Sequence, residues 1–321
     1  MLHVKIAGLE RLTSAIGLGT ATRAFTPQTY DHAAALLDRF VEAGGNCIDT
    51  AHVYGLGDSE KTLGRWFKES ARRGEVILIT KGCHPAFDPQ NVFAKPWEPR
   101  LTPEALRKDL NESLERLQTD YVDLYLLHRD DEVAPVGPLI EALNQEQRRG
   151  RIRAFGASNW RVERISAANE YAAQHGLNGF VISSPGLSLA RPVKMYYPGT
   201  LFADDATRAW HRTHQFPMLA WASLAAGFMS GKFKPDDASD DYVTQVYYSE
   251  ENFEHLRRAQ ELARRKNATS LQIGLAYVLN QGFPTVALVG PTTVTNLDET
   301  LGALNLEMNR EEMDFLDLKA Q

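Results

Sequence analysis

Four ionisable side chains of different types follow predicted strands, where the ends of parallel strands would bring them together. Asp49 lies near the end of the second predicted strand and Tyr54 follows that strand, while Lys81 follows the third and His128 the fourth. An ammonium group favours the phenolate form of a neighbouring tyrosine, so Lys81 would make Tyr54 a stronger acid while Asp49 holds Lys81 in place. A neutral His128 would donate a hydrogen bond to the same oxygen. Together these residues can protonate a carbonyl oxygen while the carbonyl carbon is attacked.

The attacking group in such a reaction must come from outside the chain. No amino-acid side chain is a hydride donor, so the four residues predict a bound nicotinamide cofactor. Any one of them alone is more often a helix cap or one half of a salt bridge. The prediction therefore depends on the four taken together.

Eight strand-like segments alternate with amphipathic helices and would position these residues. The strands are predicted at residues 15–20, 47–51, 76–80, 122–127, 152–157, 180–183, 217–221 and 285–290. This alternation is typical of parallel βαβ units, and eight of them favour an α/β fold of the closed (β/α)8 TIM barrel type. Gly17 and Gly19 lack the third glycine of a Rossmann motif, which argues against an open doubly wound sheet.

Two further parts of the chain lie outside the eight units. Residues 3–6 and 10–12 are predicted to pair around Gly8 as an N-terminal β-hairpin that plugs the lower end of the barrel. Residues 294–304 and 310–319 are predicted as extra C-terminal helices. No internal repeat or low-complexity linker interrupts the pattern, so we expect one domain over residues 1–321.

Composition excludes several classes of protein. The 321 residues have a formal net charge of −6, which disfavours nucleic acid as a partner because phosphate contacts need clustered lysine and arginine. The apolar runs are too short to span a bilayer, and the N-terminus lacks the pattern of a signal peptide. Cys47 and Cys83 are too few for a disulfide scaffold and are expected as reduced thiols. We therefore expect a cytoplasmic protein without a membrane partner.

Several motifs resemble those of the aldo-keto reductase family. They are Ile48-Asp49-Thr50-Ala51-His52-Val53-Tyr54-Gly55, Ser59-Glu60, Leu63-Gly64, Thr80-Lys81-Gly82, Asp123-Leu124-Tyr125-Leu126-Leu127-His128 and Gly150-Arg151-Ile152-Arg153-Ala154-Phe155-Gly156-Ala157-Ser158-Asn159. The resemblance implies a (β/α)8 barrel that reduces aldehydes and ketones with NADPH or, less often, NADH. It also implies a catalytic tetrad of Asp49, Tyr54, Lys81 and His128.

The resemblance carries over a set of cofactor-binding positions. They are Gly19, Thr20, Asp49, Ser158, Asn159, Ser184, Trp221, Ser223, Leu224, Gly227, Ser230, Gly231, Lys232, Gly290, Thr292, Asn296 and Glu299. Ser184 stands where the family has a glutamine, and Trp221 where it usually has a tyrosine. No lysine or arginine lies between Gly282 and Asn309, where the family commonly has a cation for the 2′-phosphate of NADPH. We therefore expect unusually weak discrimination against NADH.

The substrate is expected to be a small-molecule carbonyl or alcohol that contacts Tyr54, His128 and Trp97. Aromatic residues in the loops allow a sugar-derived or aromatic compound. One alternative is a metal-dependent barrel hydrolase using Asp49, His52, His84 and His128; the expected ligands after the first and last strands are missing, so we expect no metal site. The other is a cofactor-binding regulatory subunit of reductase fold with little turnover. The oligomeric state is left open.

Overall fold

Eight parallel strands form a closed barrel surrounded by helices in the computed structural model, which describes residues 1–86, 97–195 and 197–319. The strands of the whole fold are β1 (His3–Val4), β2 (Thr13–Ser14), β3 (Ile16–Gly19), β4 (Cys47–Asp49), β5 (Ile77–Gly82), β6 (Val122–Leu127), β7 (Ile152–Ser158), β8 (Ser183–Ser184), β9 (Met218–Ala220) and β10 (Thr285–Val289). β3 to β10 follow one another around the barrel, and β10 closes it against β3. The predicted (β/α)8 barrel is confirmed.

The helices lie on the outside of this barrel. They are α1 (Tyr30–Glu42), α2 (Asp58–Ser70), α3 (Pro103–Leu117), α4 (Val136–Arg148), α5 (Val162–Gln174), α6 (Asp205–His214), α7 (Asp241–Tyr247), α8 (Glu250–Lys266), α9 (Ser270–Leu279), α10 (Val294–Leu301) and α11 (Arg310–Leu316). The extra helices α10 and α11 are confirmed, whereas α7, which begins at the N-cap Asp240, was not predicted from the sequence. Within the described ranges, no helix has the length and apolar character needed to cross a membrane.

The strand sequences explain why the barrel has two apolar layers. β6 is buried along its whole length, as expected for parallel strands covered on both faces. Leu124 and Leu126 belong to the cluster inside the barrel, whereas Tyr125 and Leu127 belong to the cluster between strands and helices. This alternation follows from the two-residue period of a strand.

The N-terminal hairpin is present, but its predicted second strand at residues 10–12 is wrong. β1 pairs with β2, with His3 opposite Ser14. Leu12 is half-exposed, whereas Thr13 and Ser14 are buried, so burial selects the later pairing. Val4 and Ile6 pack with residues inside the barrel, and a Cβ on Gly8 would lie only 3.1 Å from that of Ala154. The hairpin therefore covers the lower end of the barrel.

Several strand predictions need correction at their ends: β4 ends at Asp49 rather than at residue 51, and β5 extends through Gly82 rather than ending at residue 80. β8 comprises only Ser183–Ser184, not residues 180–183, and β9 is shorter than the predicted residues 217–221. Residues before β8 still hydrogen-bond toward β7, since the amide of Val181 donates to the carbonyl oxygen of Phe155 at 3.0 Å. Regular pairing begins later, where Ala157 and Ser158 lie opposite Ser183 and Ser184. The consequence is that Ser184 ends its strand level with Ser158.

Candidate active site

Asp49 and Lys81 form a buried ion pair at the C-terminal ends of β4 and β5. Lys81 Nζ donates to Asp49 Oδ1 at 2.7 Å and to the carbonyl oxygen of Thr50 at 3.0 Å. Both residues are only 2% exposed. Burial acts against both charges, but the carboxylate and the nearby Tyr54 hydroxyl hold the pKa of Lys81 above its ordinary value. The site thus contains a fixed ammonium group.

Tyr54 lies directly against this ammonium. Lys81 Nζ is 3.1 Å from Tyr54 Oη and 4.8 Å from the centroid of its ring. The Tyr54 amide donates to the carbonyl oxygen of Ala51, and a short turn over Tyr54–Gly57 then leads into α2. Gly57 has a φ of 96°, and a Cβ there would come within 2.8 Å of the Arg116 guanidinium. The positive φ favours glycine at this position of the turn, which presents Tyr54 to the site.

His128 follows β6 and is held in register by its amide, which donates to the carbonyl oxygen of Gly82 at 2.9 Å. Its ring packs edge-on against that of Tyr54, with 5.6 Å between centroids. Burial, followed by the positive charge of Arg129, keeps the pKa of His128 well below its ordinary value. Its Nδ1 is buried and has no hydrogen-bond partner among the described residues. A neutral imidazole with unused hydrogen-bonding capacity therefore faces the tyrosine.

His84 and Trp97 extend the aromatic wall beside His128. The rings of His84 and His128 are 5.0 Å apart, and those of His84 and Trp97 are 5.1 Å apart. Burial lowers the pKa of His84 to about 4. His84 enters the sequence-based predictions only as a ligand of the alternative metal site; its position two residues beyond the end of β5 is the signal for its place in this wall.

His52 turns away from the site. Its Nε2 lies 2.7 Å from Glu112 Oε2 on α3, and its amide donates to the carbonyl oxygen of Lys81. His52 therefore fixes the loop before Tyr54 through its contacts with α3 and with the end of β5. Within the described part of the chain, no group of three or more histidine, cysteine or acidic side chains is arranged to hold a metal ion.

The neighbouring strand ends β7 and β8 offer polar atoms that fit the amide of a nicotinamide group. Asn159 Nδ2 donates to Ser158 Oγ at 3.0 Å and to the carbonyl oxygen of His128 at 3.1 Å. Its Oδ1 accepts from the amide of Leu201 and keeps one lone pair. Ser184 Oγ is buried with no partner in the described structure. An incoming amide can thus find both a donor and an acceptor here.

Trp221 follows β9 and borders the same end of the barrel. It is half-buried, and its ring packs edge-on against Phe202 with 5.3 Å between centroids. Ser223 Oγ is committed to the carbonyl oxygen of Ala220 at 2.9 Å, so its side chain makes an internal contact. Leu224 is half-buried, and Gly227 has a φ of 81° with no described atom within 4 Å of the position a Cβ would take.

The loop after β9 and the end of β3 supply the remaining predicted positions on this side. Ser230 and Lys232 are exposed, and Lys232 Nζ lies 4.6 Å from the centroid of the Phe233 ring. The amide of Thr20 donates to the carbonyl oxygen of Asp49, which ties the turn after Gly19 to the ion pair. Thr20 Oγ1 is buried and unpartnered among the described residues.

The region expected to bind the adenosine end of the cofactor, with its 2′-phosphate in NADPH, lies between β10 and α10. Gly290, Thr292, Asn296 and Glu299 are exposed there. Thr292 Oγ1 donates to Asn296 Oδ1 at 3.2 Å, and Thr293 caps α10 by accepting from the amide of Asn296.

Two basic side chains on α1 approach this region. His32 Nε2 lies 2.5 Å from the carbonyl oxygen of Thr292, and Arg39 pairs with Asp298 at 2.7 Å. Sequence reasoning missed both because α1 is some 260 residues away in the chain. The guanidinium of Arg39 is already neutralised by its aspartate.

Comparison with known proteins identifies the family. The model of the Aldo/keto reductase family matches residues 15–320. An aldo-keto reductase of Schizosaccharomyces pombe whose name specifies NADP(+) is 28% identical, covering 89% of this chain and 81% of that protein. A norsolorinic acid reductase of Emericella nidulans is 30% identical, covering 92% of this chain and 73% of that protein. An aryl-alcohol dehydrogenase of Pestalotiopsis microspora is 27% identical, covering 90% of this chain and 72% of that protein.

The barrel, the family match and these relatives agree on one conclusion about the class of protein. It is an oxidoreductase that uses NAD(P)H and acts on small carbonyl compounds or alcohols. The chain belongs to the aldo/keto reductase family.

Proposed function

We propose that the chain reduces an aldehyde or ketone of aromatic or sugar-derived type to the alcohol, with Tyr54 as the general acid. The observation that carries this proposal is the contact of Lys81 Nζ with both Asp49 Oδ1 and Tyr54 Oη, at 2.7 and 3.1 Å. When a tyrosine donates its proton it becomes a negatively charged phenolate. A fixed ammonium group beside the tyrosine stabilises that charge.

Each member of the proposed tetrad has a separate task. When bound, a nicotinamide cofactor would supply the hydride that the carbonyl carbon accepts. Tyr54 donates its proton from Oη to the carbonyl oxygen, and Lys81 stabilises the resulting phenolate. Asp49 holds Lys81 Nζ in place, and neutral His128 donates a hydrogen bond that orients the carbonyl group.

The residues proposed to hold the cofactor form two groups. Ser158, Asn159 and Ser184 would bind the carboxamide, and Trp221 would stack on the nicotinamide ring. The remaining contacts are proposed for Gly19, Thr20, Asp49, Ser223, Leu224, Gly227, Ser230, Lys232, Gly290, Thr292, Asn296 and Glu299. The unpartnered Ser184 Oγ supports the first group, and the exposure of Thr292 and Asn296 supports the second.

The substrate class is tested with a panel of carbonyl compounds. The aromatic wall of His84 and Trp97 favours flat apolar substrates, and one relative is named an aryl-alcohol dehydrogenase. We expect kcat/KM for aryl aldehydes or aldoses to exceed that for short aliphatic aldehydes by about tenfold or more. Steady-state oxidation of NADPH gives the measurement. Turnover restricted to short aliphatic aldehydes would rule out the proposed class.

Cofactor preference provides a second prediction. The described residues of the 283–308 stretch include no cation, and Arg39 is committed to Asp298, so the 2′-phosphate of NADPH finds no free guanidinium there. We expect the ratio of kcat/KM for NADPH to that for NADH to be within about tenfold. A preference for NADPH above about a hundredfold, equivalent to ~2.7 kcal/mol, contradicts this.

A charge added at the proposed adenosine end supplies the control for that experiment. Thr295→Arg places a guanidinium in the first turn of α10 and should raise the preference for NADPH by about tenfold. Thr213→Arg adds the same charge on the exposed surface of α6 and should leave the ratio unchanged.

A further inference from the structure

Arg129 is the one buried charged residue of the described structure without an ion pair. Eight aspartate, glutamate, lysine and arginine residues are buried there. Seven of them have a partner of opposite charge within 4 Å, and they are Asp49, Glu60, Lys81, Asp109, Asp123, Glu146 and Arg208. Arg129 is only 8% exposed, and no described carboxylate lies within that distance of its guanidinium. Burying a charge without a counterion is costly, so this exception needs a reason.

The hydrogen bonds of Arg129 leave one edge of its guanidinium unused. Nη1 donates to the carbonyl oxygen of His128 at 2.9 Å. Nε is buried and has no hydrogen-bond partner among the described residues, and Nη2 makes none with them either. Of these two nitrogens, only Nη2 keeps accessible surface, so Nη2 is the atom that an oxygen of a ligand can reach.

The position of Arg129 links Nη2 to the proposed chemistry. It follows His128 directly, and its charge acts on His128 and His84, lowering the pKa of both after the effect of burial. Burial in turn lowers the pKa of Arg129 to about 10, which leaves it charged at neutral pH. The turn containing Gly199, with a φ of 66°, lies against its side chain: a Cβ there would be 3.3 Å from Arg129 Cδ.

The charges around the site also favour an anion. Lys81 and Arg129 are both buried at the ends of neighbouring strands, and the buried carboxylates near these strand ends are already paired, Asp49 with Lys81 and Asp109 with Arg100. Asp130, the next acidic residue in the chain, is bonded to Arg164 and is not available to Arg129. A negatively charged ligand group would thus supply the counterion that the chain itself does not.

We propose that the carbonyl substrate carries a carboxylate and that Nη2 of Arg129 binds it, beside His128. This rests on the proposed carbonyl reduction and narrows its substrate class to oxo acids, with the carboxylate placed so that the carbonyl oxygen reaches Tyr54. Arg129 is a specificity-determining residue in this account: it selects the substrate and takes no part in proton transfer.

The test compares 4-carboxybenzaldehyde with its methyl ester, which has the same ring and aldehyde but no charge. In the unmodified protein, kcat/KM for the acid should exceed that for the ester by about 10- to 100-fold, the range for a hydrogen-bonded charge pair. Arg129→Met should reduce this preference to less than about twofold, mainly through KM, while the ester changes by less than about threefold. Arg129→Lys keeps a positive charge beside His128 and should restore part of the preference relative to Arg129→Met.

Arg161→Gln is the matched control because it removes an exposed arginine that pairs with Glu132 and should leave both substrates unaffected. An equal loss for acid and ester in Arg129→Met would assign Arg129 to support of the His128 backbone and overturn the proposal. Ester reduction without any preference for the acid would overturn it while leaving the proposed carbonyl reduction intact. Turnover of neither compound, with NADPH bound, would contradict both.

A binding measurement on the unmodified protein tests the same proposal without any variant. With NADP⁺ bound, benzoate should bind at least about tenfold more tightly than benzamide in a calorimetric titration. Equal affinity overturns the proposal. Phenyl phosphate serves as a third ligand: tighter binding of phenyl phosphate than of benzoate would reject the carboxylate in favour of a phosphate group.

Discussion

Tyr54→Phe lowers kcat/KM for aldehyde reduction by about 10²- to 10⁴-fold, the usual contribution of a positioned general acid. The change removes one oxygen, the one that lies 3.1 Å from Lys81 Nζ, and keeps the ring that packs against His128. Because the Asp49–Lys81 pair is untouched, the barrel folds normally and the affinity for NADPH is unchanged. Steady-state kinetics give kcat/KM, and fluorescence titration with NADPH gives the affinity for the cofactor.

Tyr171→Phe is the matched control for this prediction. It removes a tyrosine hydroxyl on α5, outside the barrel, where the group bonds to Glu141. We expect activity within about twofold of the unmodified protein. If Tyr54→Phe reduces aldehydes as fast as this control, the proton comes from another donor and the role given to Tyr54 is wrong.

Lys81→Met is expected to lower both stability and activity. It leaves the Asp49 carboxylate buried without a counterion, and breaking a buried pair in this way costs about 3–5 kcal/mol of unfolding free energy. It also removes the charge that stabilises the phenolate, so kcat/KM should fall by about 10²- to 10³-fold. Chemical denaturation and steady-state kinetics measure the two effects.

The double variant Asp49→Asn with Lys81→Met separates these two effects. Removing both charges should recover most of the lost unfolding free energy, because no unpaired charge remains in the core. Activity should stay low, because the ammonium is still missing. Recovery of activity together with stability would show that Lys81 serves only the fold.

Much of the barrel could be predicted because each part has a local signal. Short runs rich in β-branched residues, such as residues 285–289, alternate with helices whose apolar faces recur every three to four residues, and the eight repeats imply closure. The exceptions are short segments. β1 and β2 are two residues each, and β8 is likewise two, so tertiary contacts rather than local pattern decide where pairing begins. The single-domain organisation stays a prediction.

The proposed tetrad could be predicted because its four members follow strands of one sheet, and the structure brings Asp49, Lys81, Tyr54 and His128 into contact. Other residues could not be identified in this way. Arg129 stands out only because no described carboxylate lies near it in space. His32 stands out only because it contacts Thr292, which is 260 residues away in the chain. No motif or spacing reports either fact.

The measurement that tests the account most directly is the transfer of deuterium to an aryl aldehyde from NADPH that carries deuterium at both C4 positions of the nicotinamide. It also decides between the enzyme and a cofactor-binding subunit of the same fold with little turnover. The account predicts an alcohol with one deuterium on the carbinol carbon, formed at catalytic rates by the unmodified protein and about 10²- to 10⁴-fold more slowly by Tyr54→Phe. Tight binding of NADPH with no deuterated alcohol, or equal rates of transfer in the two proteins, would contradict it.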